Sequence, residues 1–230
     1  MKEMLSNSVF FGVTISILAY EAGVFLKKKT KLSVCNPLLI SVIAVMIVLA
    51  VFHIDYETYK QGADLLSYLL TPATVCLAIP LYEQLPLLKK NLKAVMAGIV
   101  SGVITSLVTI LAMAAVFGLS HEEYVTLLPK SITTAIGMGV SQELGGIVTI
   151  TVAVIIVTGI FGNVIGEYVC RLFKIEESIA KGVALGSASH AIGTARAMEM
   201  GEIEGAMSSL SIAVAGLLTV VGATVFANFL

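Results

Sequence analysis

Three stretches of this chain carry almost no charge over lengths that match a lipid bilayer. Segment 36–52 has none, 91–117 has only Lys93, and 147–170 has only Glu167. A spanning helix needs about 20 apolar residues, and more polar stretches with prolines separate these runs. Only 13% of the 230 residues are charged and 57% are hydrophobic, with a mean hydropathy of +0.98. A soluble domain has roughly 25% charged residues, so this chain lacks the means to cover a water-facing surface. The pattern predicts an all-α polytopic membrane protein in contact with the lipid bilayer. It forms a single domain over 1–230, with N-terminal helices over 7–117 and paired broken elements with spanning helices over 123–230.

Basic residues set the expected orientation. Segment 7–26 is apolar and is followed by Lys27, Lys28, Lys29 and Lys31. A secretory signal has the reverse order, so this is read as a retained helix with its N-terminus outside. The Asn36-Pro37 start signal opens the next helix, which climbs outward to a polar outer loop over 53–64. Segment 65–88 returns inward to Lys89, Lys90 and Lys93. Segment 91–117 goes out again, and 118–124 forms the next outer loop.

The following segment breaks this rhythm. Were 123–146 to cross fully, 147–170 would run outward and carry Arg171, Lys174 and Lys181 to the outside, against the positive-inside rule. A re-entrant or broken element restores the rule. The expectation is therefore about six full transmembrane helices plus two broken or re-entrant elements, with eight simple crossings as the alternative. An internal match supports the pairing. AIGMGVSQELG (135–145) and AIGTARAMEMG (191–201) align without gaps, sharing Ala-Ile-Gly, Glu143 with Glu199 and Gly145 with Gly201. Upstream, Ser131 aligns with Ser187 and Thr133 with Ser189. Elements entering from opposite faces and meeting near the midplane make a transporter-like inverted repeat.

Irregular backbone at membrane depth is tolerated only where protein or a wet cavity satisfies it, and ionisable groups there mark function. Lys130, His190 and Arg196 lie at that depth, among Ser131, Thr133, Thr134, Ser187, Ser189 and Thr194. Such a set suits a small carboxylate, with Arg196 gripping it through paired hydrogen bonds and helix-end N–H groups serving its other oxygens. The coupling ion is expected to be a proton, which His190 is suited to carry, or sodium; no cofactor is expected. Structural readings stand beside these. Arg196 and Glu199, three apart, form a pair on one helix; Lys130 snorkels to the interface; His190 packs against a carbonyl. Pro72, Pro80 and Pro86 interrupt another segment, where Pro72 and Thr74 mark either a third broken element near the cavity or a kink. Gly98/Gly102, Gly162/Gly166, Gly182/Gly186 and Gly201/Gly205 are GxxxG pairs, which serve close packing within the subunit or a homodimer face.

Several classes are excluded. Cys35, Cys76 and Cys170 are isolated, no HExxH or CxxC spacing offers a metal site, and no nucleophile–base–orienter set suggests an enzyme. A formal net charge of −1 with no basic patch gives nucleic acid no purchase.

NPLLIS (36–41), TPATVCLAIPLYEQ (71–84), LLPKSITTAIGM (127–138) and GSASHAIGTARAMEMGEIEGAMSSL (186–210) together resemble the LrgB/CidB family over nearly the whole chain. The resemblance implies a holin-like or antiholin-like modulator of murein hydrolase activity and autolysis in a bacterial or archaeal cytoplasmic membrane, beside a small LrgA/CidA-type partner. It equally implies transport, since the family includes the plastid glycolate/glycerate translocator and bacterial members linked to pyruvate. The positions matching its motifs are Pro129, Lys130, Ser131, Thr133, Thr134, Ser189, His190, Gly193, Thr194, Arg196 and Glu199. Ala135 stands where many members have proline. The expected activity is a secondary carrier of small monocarboxylates such as pyruvate, glycolate or glycerate. The alternative is a regulator of permeability and lysis acting by oligomerisation.

Overall fold

The computed structural model describes residues 10–30, 37–69, 72, 75, 76 and 78–230, and these residues form helices without strands. The chain divides into two compact units, Met1–Cys76 and Leu77–Leu230.

The first unit contains α1 (Phe11–Thr30), α2 (Pro37–Phe52) and α3 (Tyr56–Tyr68). Helix α2 begins at the proline of the predicted start signal and is charge-free. Lys27, Lys28 and Lys29 lie in the last turn of α1, where cations complement the helix dipole. Gly12 lets α1 approach the α3 backbone at Tyr59 and Ala63, and the Ser16 and Tyr59 hydroxyls hydrogen-bond at 2.8 Å. One expectation is corrected here. The polar segment 53–64 is helical rather than a loop from Tyr56 onward. Segment 65–88 is interrupted, as its prolines predict: α3 ends at Tyr68, and α4 is the short Ala78–Glu83. Proline removes a backbone donor and clashes with the preceding turn, which three prolines impose on this stretch. Thr74 lies outside the described residues.

The second unit is built around three helices long and apolar enough to cross a membrane: α5 (Leu85–Phe117), α8 (Val148–Leu172) and α10 (Glu202–Phe226, extended by a 3₁₀ turn to Phe229). Val95, Ile99, Val103, Leu107, Ile110 and Ala114 recur at helical spacing and bury one face of α5. Its other face exposes Ile104, Val108, Met113, Val116 and Phe117. A stripe of that kind calls for lipid around it, and the chain is an all-α membrane protein.

Between the long helices lie two helical hairpins. The first consists of α6 (His121–Leu127), an irregular tip over 128–133, and α7 (Thr134–Glu143). A capping box between Ser120 and Glu123 starts α6. Ser141 and Thr151 are hydrogen-bonded at 2.7 Å, while Gly137 packs on Ile155, so α7 runs antiparallel to α8. Thr126 of α6 accepts from Ile147 N–H at 2.8 Å.

The second hairpin is α9 (Ser178–Met200), whose helix breaks at Ser189 (φ −136°, ψ 17°) and His190 (φ 42°, ψ −141°). The contacts show that the chain reverses there. Gly193 sits on the carbonyl of Leu185, bringing the two limbs together. Along α8, Gly166 meets Leu185 and Gly162 meets Ser189, so the limb 178–188 runs antiparallel to α8. Asn163 Nδ2 donates to the Ile192 carbonyl at 2.8 Å, and Glu167 pairs with Arg196, so the limb 191–200 returns parallel to it. The same crossing appears on α10: Gly182 faces Glu204 and Gly186 faces Ser208, whereas Gly205 faces Met198. Each GxxxG glycine of 162/166 and 182/186 therefore serves packing inside this unit. A single residue, Gly201, joins α9 to α10; Glu202 is exposed beside it, and Glu204 is buried rather than solvated. The first hairpin opens toward the start of α8 and the second toward its end. The second tip reaches α8 between Ile155 and Gly162, and α7 of the first hairpin meets α8 at Ile155.

Candidate functional site

The first tip presents Pro129, Lys130 and Ser131, with Pro129 and Ser131 buried and Lys130 half-buried. Lys130 Nζ donates to Ser131 Oγ at 2.9 Å, and Ser131 Oγ lies 3.3 Å from Ser106 Oγ on α5. Beyond the ammonium lies a cavity of about 830 Å³ between α5 and the limb 178–188 of α9. From α5 it is lined by Gly98, Ser101, Gly102, Thr105, Ser106 and Thr109, and from α9 by Val183, Ala184, Ser187 and Ala188. Gly98 and Gly102 narrow the gap between these helices, since an added Cβ would stand 3.1 Å from Val183 and Ser187 respectively. Ser187 Oγ donates back to the Val183 carbonyl at 2.6 Å, which uses its proton and leaves its lone pairs as acceptors. Among the described residues, no carboxylate lies within ion-pairing distance of Lys130. Glu177 lines the cavity from the start of α9.

The second tip is built differently. His190 is 3% exposed, and its Nε2 donates to the Ile155 carbonyl at 2.9 Å. Thr194 Oγ1 donates to the His190 carbonyl at 3.1 Å and is hydrogen-bonded to Ser208 Oγ at 2.7 Å. Ser189 fills the space left by Gly162 and Gly193. These bonds satisfy the groups freed by the break and fix the reversal. A φ of 42° at a residue with a Cβ is a strained conformation, of the kind held in place by surrounding structure.

The sequence-derived set therefore separates into three groups. Lys130, Ser131 and Ser187 meet at the cavity. Ser189, His190, Gly193 and Thr194 form the second tip, outside the cavity lining. Arg196 is ion-paired with Glu167 of α8 and, at 2.7 Å, with Glu199; Glu167 also binds Arg171 at 2.5 Å. The structure does not bring Arg196 to the Lys130 cavity. Thr133 and Thr134 occupy the half-buried start of α7, also outside the lining. Pro72 is exposed in the other unit.

Sequence reasoning missed α5 as a cavity wall. The signal was present: Gly98, Gly102, Thr105, Ser106 and Thr109 recur at helical spacing, a small and hydroxyl-bearing stripe on an otherwise apolar helix. Among the described residues, no cluster of His, Cys, Asp and Glu is arranged to hold a metal ion.

Comparison with known proteins agrees over nearly the whole length. A family model described as the LrgB-like family matches residues 16–229. Proteins named antiholin-like protein LrgB from Bacillus mycoides (strain KBAB4), Bacillus cereus (strain B4264) and Bacillus anthracis (strain CDC 684 / NRRL 3495) are each 36% identical over 222 residues, covering 96% of both chains. No solved structure matches the chain.

Proposed function

The chain belongs to the LrgB-like family, and from that premise we propose that it is a secondary carrier of small monocarboxylates, with Lys130 as the anchor for the anion. The observation that carries this reading is an ammonium at a hairpin tip with no carboxylate partner among the described residues, facing a cavity of about 830 Å³. An unpaired charge removed from water is costly, and a transient organic anion offsets that cost. Cavities of about 300–1,000 Å³ suit small ligands. The hydroxyls of Ser106, Ser131 and Ser187 suit the carboxylate and the keto or hydroxyl oxygen of pyruvate, glycolate or glycerate.

The two hairpins support an inverted-repeat reading, because they open toward opposite ends of α8 and both meet it at Ile155, the first through Gly137 and the second through His190. In this proposal α5, α8 and α10 cross fully, the hairpins are re-entrant, and α1, α2 and segment 65–84 supply the other crossings. Lys89, Lys90 and Lys93 at the start of α5 then share the cytoplasmic side with Arg171, Lys174 and Lys181, because α5 runs parallel to the first limb of α9. The N-terminus is outside, in a bacterial or archaeal cytoplasmic membrane. A proton or sodium ion couples the movement.

A second reading is favoured by the relatives' printed names. As an antiholin-like protein, the chain modulates lysis together with an LrgA/CidA-type partner or a second copy of itself. Uptake of labelled pyruvate or glycolate into proteoliposomes, under a pH or a sodium gradient, separates the two. Saturable uptake by the protein alone, lost in Lys130→Gln, is the carrier's signature. Leakage that discriminates by size but not by chemistry sinks the carrier reading and leaves the antiholin-like one.

A further inference from the structure

We propose that the corner between α8 and α9 binds a phosphate-bearing anion, the headgroup of an anionic phospholipid, through Arg171, Lys174 and Lys181. This site is separate from the Lys130 cavity and independent of the carrier reading. It rests only on α8 ending at a membrane surface.

A second cavity, of about 240 Å³, lies at this corner and is lined by all three cations together with Glu167 and Glu176. Glu167 is already held by Arg171 and Arg196. Neither Lys174 nor Lys181 has a carboxylate within ion-pairing distance among the described residues. Two lysines and an arginine thus line one small cavity against two glutamates, of which Glu167 is already held, and this leaves an excess of positive charge. Basic pockets between helices at a membrane surface take anionic headgroups. The adjoining last turns of α8 supply the other half of a lipid site, because Tyr168, Leu172 and Phe173 are 67%, 62% and 71% exposed. A headgroup in the cavity would leave its acyl chains along these side chains.

The backbone at Lys174 adds an independent observation. Helix α8 ends in a Schellman motif: Ile175 N–H donates to the Cys170 carbonyl at 2.8 Å, and Lys174 N–H to the Arg171 carbonyl at 3.1 Å. Lys174 takes the left-handed position with φ 54°. Glycine is the residue this position favours, and Gly145 fills the equivalent place after α7 with φ 82°. A lysine here accepts backbone strain at the rim of the cavity it lines. Its position also carries a consequence for the second hairpin. Lys181 lies on the entering limb, and Arg171 shares Glu167 with Arg196 on the returning limb. A bound phosphate that competes for Arg171 links the lipid to the base of the hairpin.

The test is thermal melting of the purified full-length protein in neutral detergent, with added phosphatidylglycerol, phosphatidylcholine or inorganic phosphate. Phosphatidylglycerol is expected to raise the Tm by several degrees and phosphatidylcholine to leave it unchanged. Lys174→Gly and Lys181→Gln are each expected to lose most of that shift. Without lipid, Lys174→Gly should melt at or above the wild type, because glycine relieves the left-handed strain; a purely structural lysine predicts the reverse. Equal shifts from the two lipids, or full shifts in both variants, would overturn the proposal. A shift from inorganic phosphate as large as that from phosphatidylglycerol would reassign the ligand to a soluble phosphate and overturn the lipid source.

Discussion

Replacing Gly186 with alanine tests the reversal of α9, on which the placement of the site depends. A Cβ built at Gly186 would stand 2.8 Å from both Ser208 Cα and Ser211 Cβ, and closer still to the Ser208 carbonyl oxygen. Ordinary van der Waals contact between such atoms begins near 3.4 Å. The obstacle is the backbone of α10, so no rotamer change relieves it, and the limb 178–188 must move outward by up to about 1 Å to restore ordinary contact with the Ser208 carbonyl oxygen. Overpacking of this kind costs about 1–3 kcal/mol, partly offset by alanine's better helix propensity of about 1 kcal/mol. The net loss is about 0–2 kcal/mol, which at about 2–4 °C per kcal/mol for a chain of this size lowers the Tm by up to roughly 8 °C. Measured against an unobstructed glycine-to-alanine change, which gains the same propensity, the full overpacking cost of about 1–3 kcal/mol remains. Gly139 in α7 is the matched control, since a Cβ there meets nothing within 4 Å. Its alanine variant should hold or raise the Tm. The assay is thermal unfolding in detergent, following loss of folded monomer by size-exclusion fluorescence. Were α9 a straight helix joined to α10 at Gly201, Gly186 would lie far from Ser208. Equal melting of Gly186→Ala and Gly139→Ala would therefore refute the hairpin.

Lys130→Met should melt at or above the wild type while losing uptake, because it removes a half-buried charge that has no carboxylate partner among the described residues; a large loss of stability would mean that Lys130 is structural. A double-mutant cycle between Arg196→Ala and Glu167→Gln should show coupling of about 1 kcal/mol or more, measured by chemical denaturation, whereas additive effects would free Arg196 for a ligand. Glu123 accepts the Ser120 backbone N–H at 2.8 Å, which holds its carboxyl below the usual carboxylate range. A carboxyl depressed on folding stabilises above its unfolded pKa and loses that contribution as pH falls through the folded value. Acidification below about pH 4.3 should therefore cost the wild type more Tm than Glu123→Gln, and parallel pH profiles would refute the capping box.

Much of this architecture was legible because bilayer physics leaves few choices. The charge asymmetry of Arg171, Lys174 and Lys181, set against Lys89, Lys90 and Lys93, was enough to demand that 123–146 turn back on itself. The internal match to 191–201 then pointed to a second irregular element, which the strained backbone of Ser189 and His190 supplies. The proline-rich segment was harder to read. Periodicity over 53–88 is interrupted by Pro72, Pro80 and Pro86, and the amphipathic α3 looks polar enough to pass for a loop. The grouping of site residues was not readable either. Glu167 lies 29 residues from Arg196, and only the hairpin brings them together. Local sequence offered Glu199, three residues on, which is a true partner but a partial one. Likewise Ser106 joins Ser131 only because α5 runs past the first tip.

The most direct test of the Lys130 cavity uses a single cysteine in place of Ser106, in a background where Cys35, Cys76 and Cys170 are replaced by serine. Ser106 lines the cavity and is half-buried, so a small thiol reagent is expected to reach the new cysteine. Pyruvate or glycolate, at concentrations that saturate uptake, is predicted to slow its alkylation, and Lys130→Gln is predicted to abolish that protection, each variant being compared with its own rate without the acids. Alkylation that proceeds at the same rate with and without the acids would contradict the assignment of this cavity as the anion site.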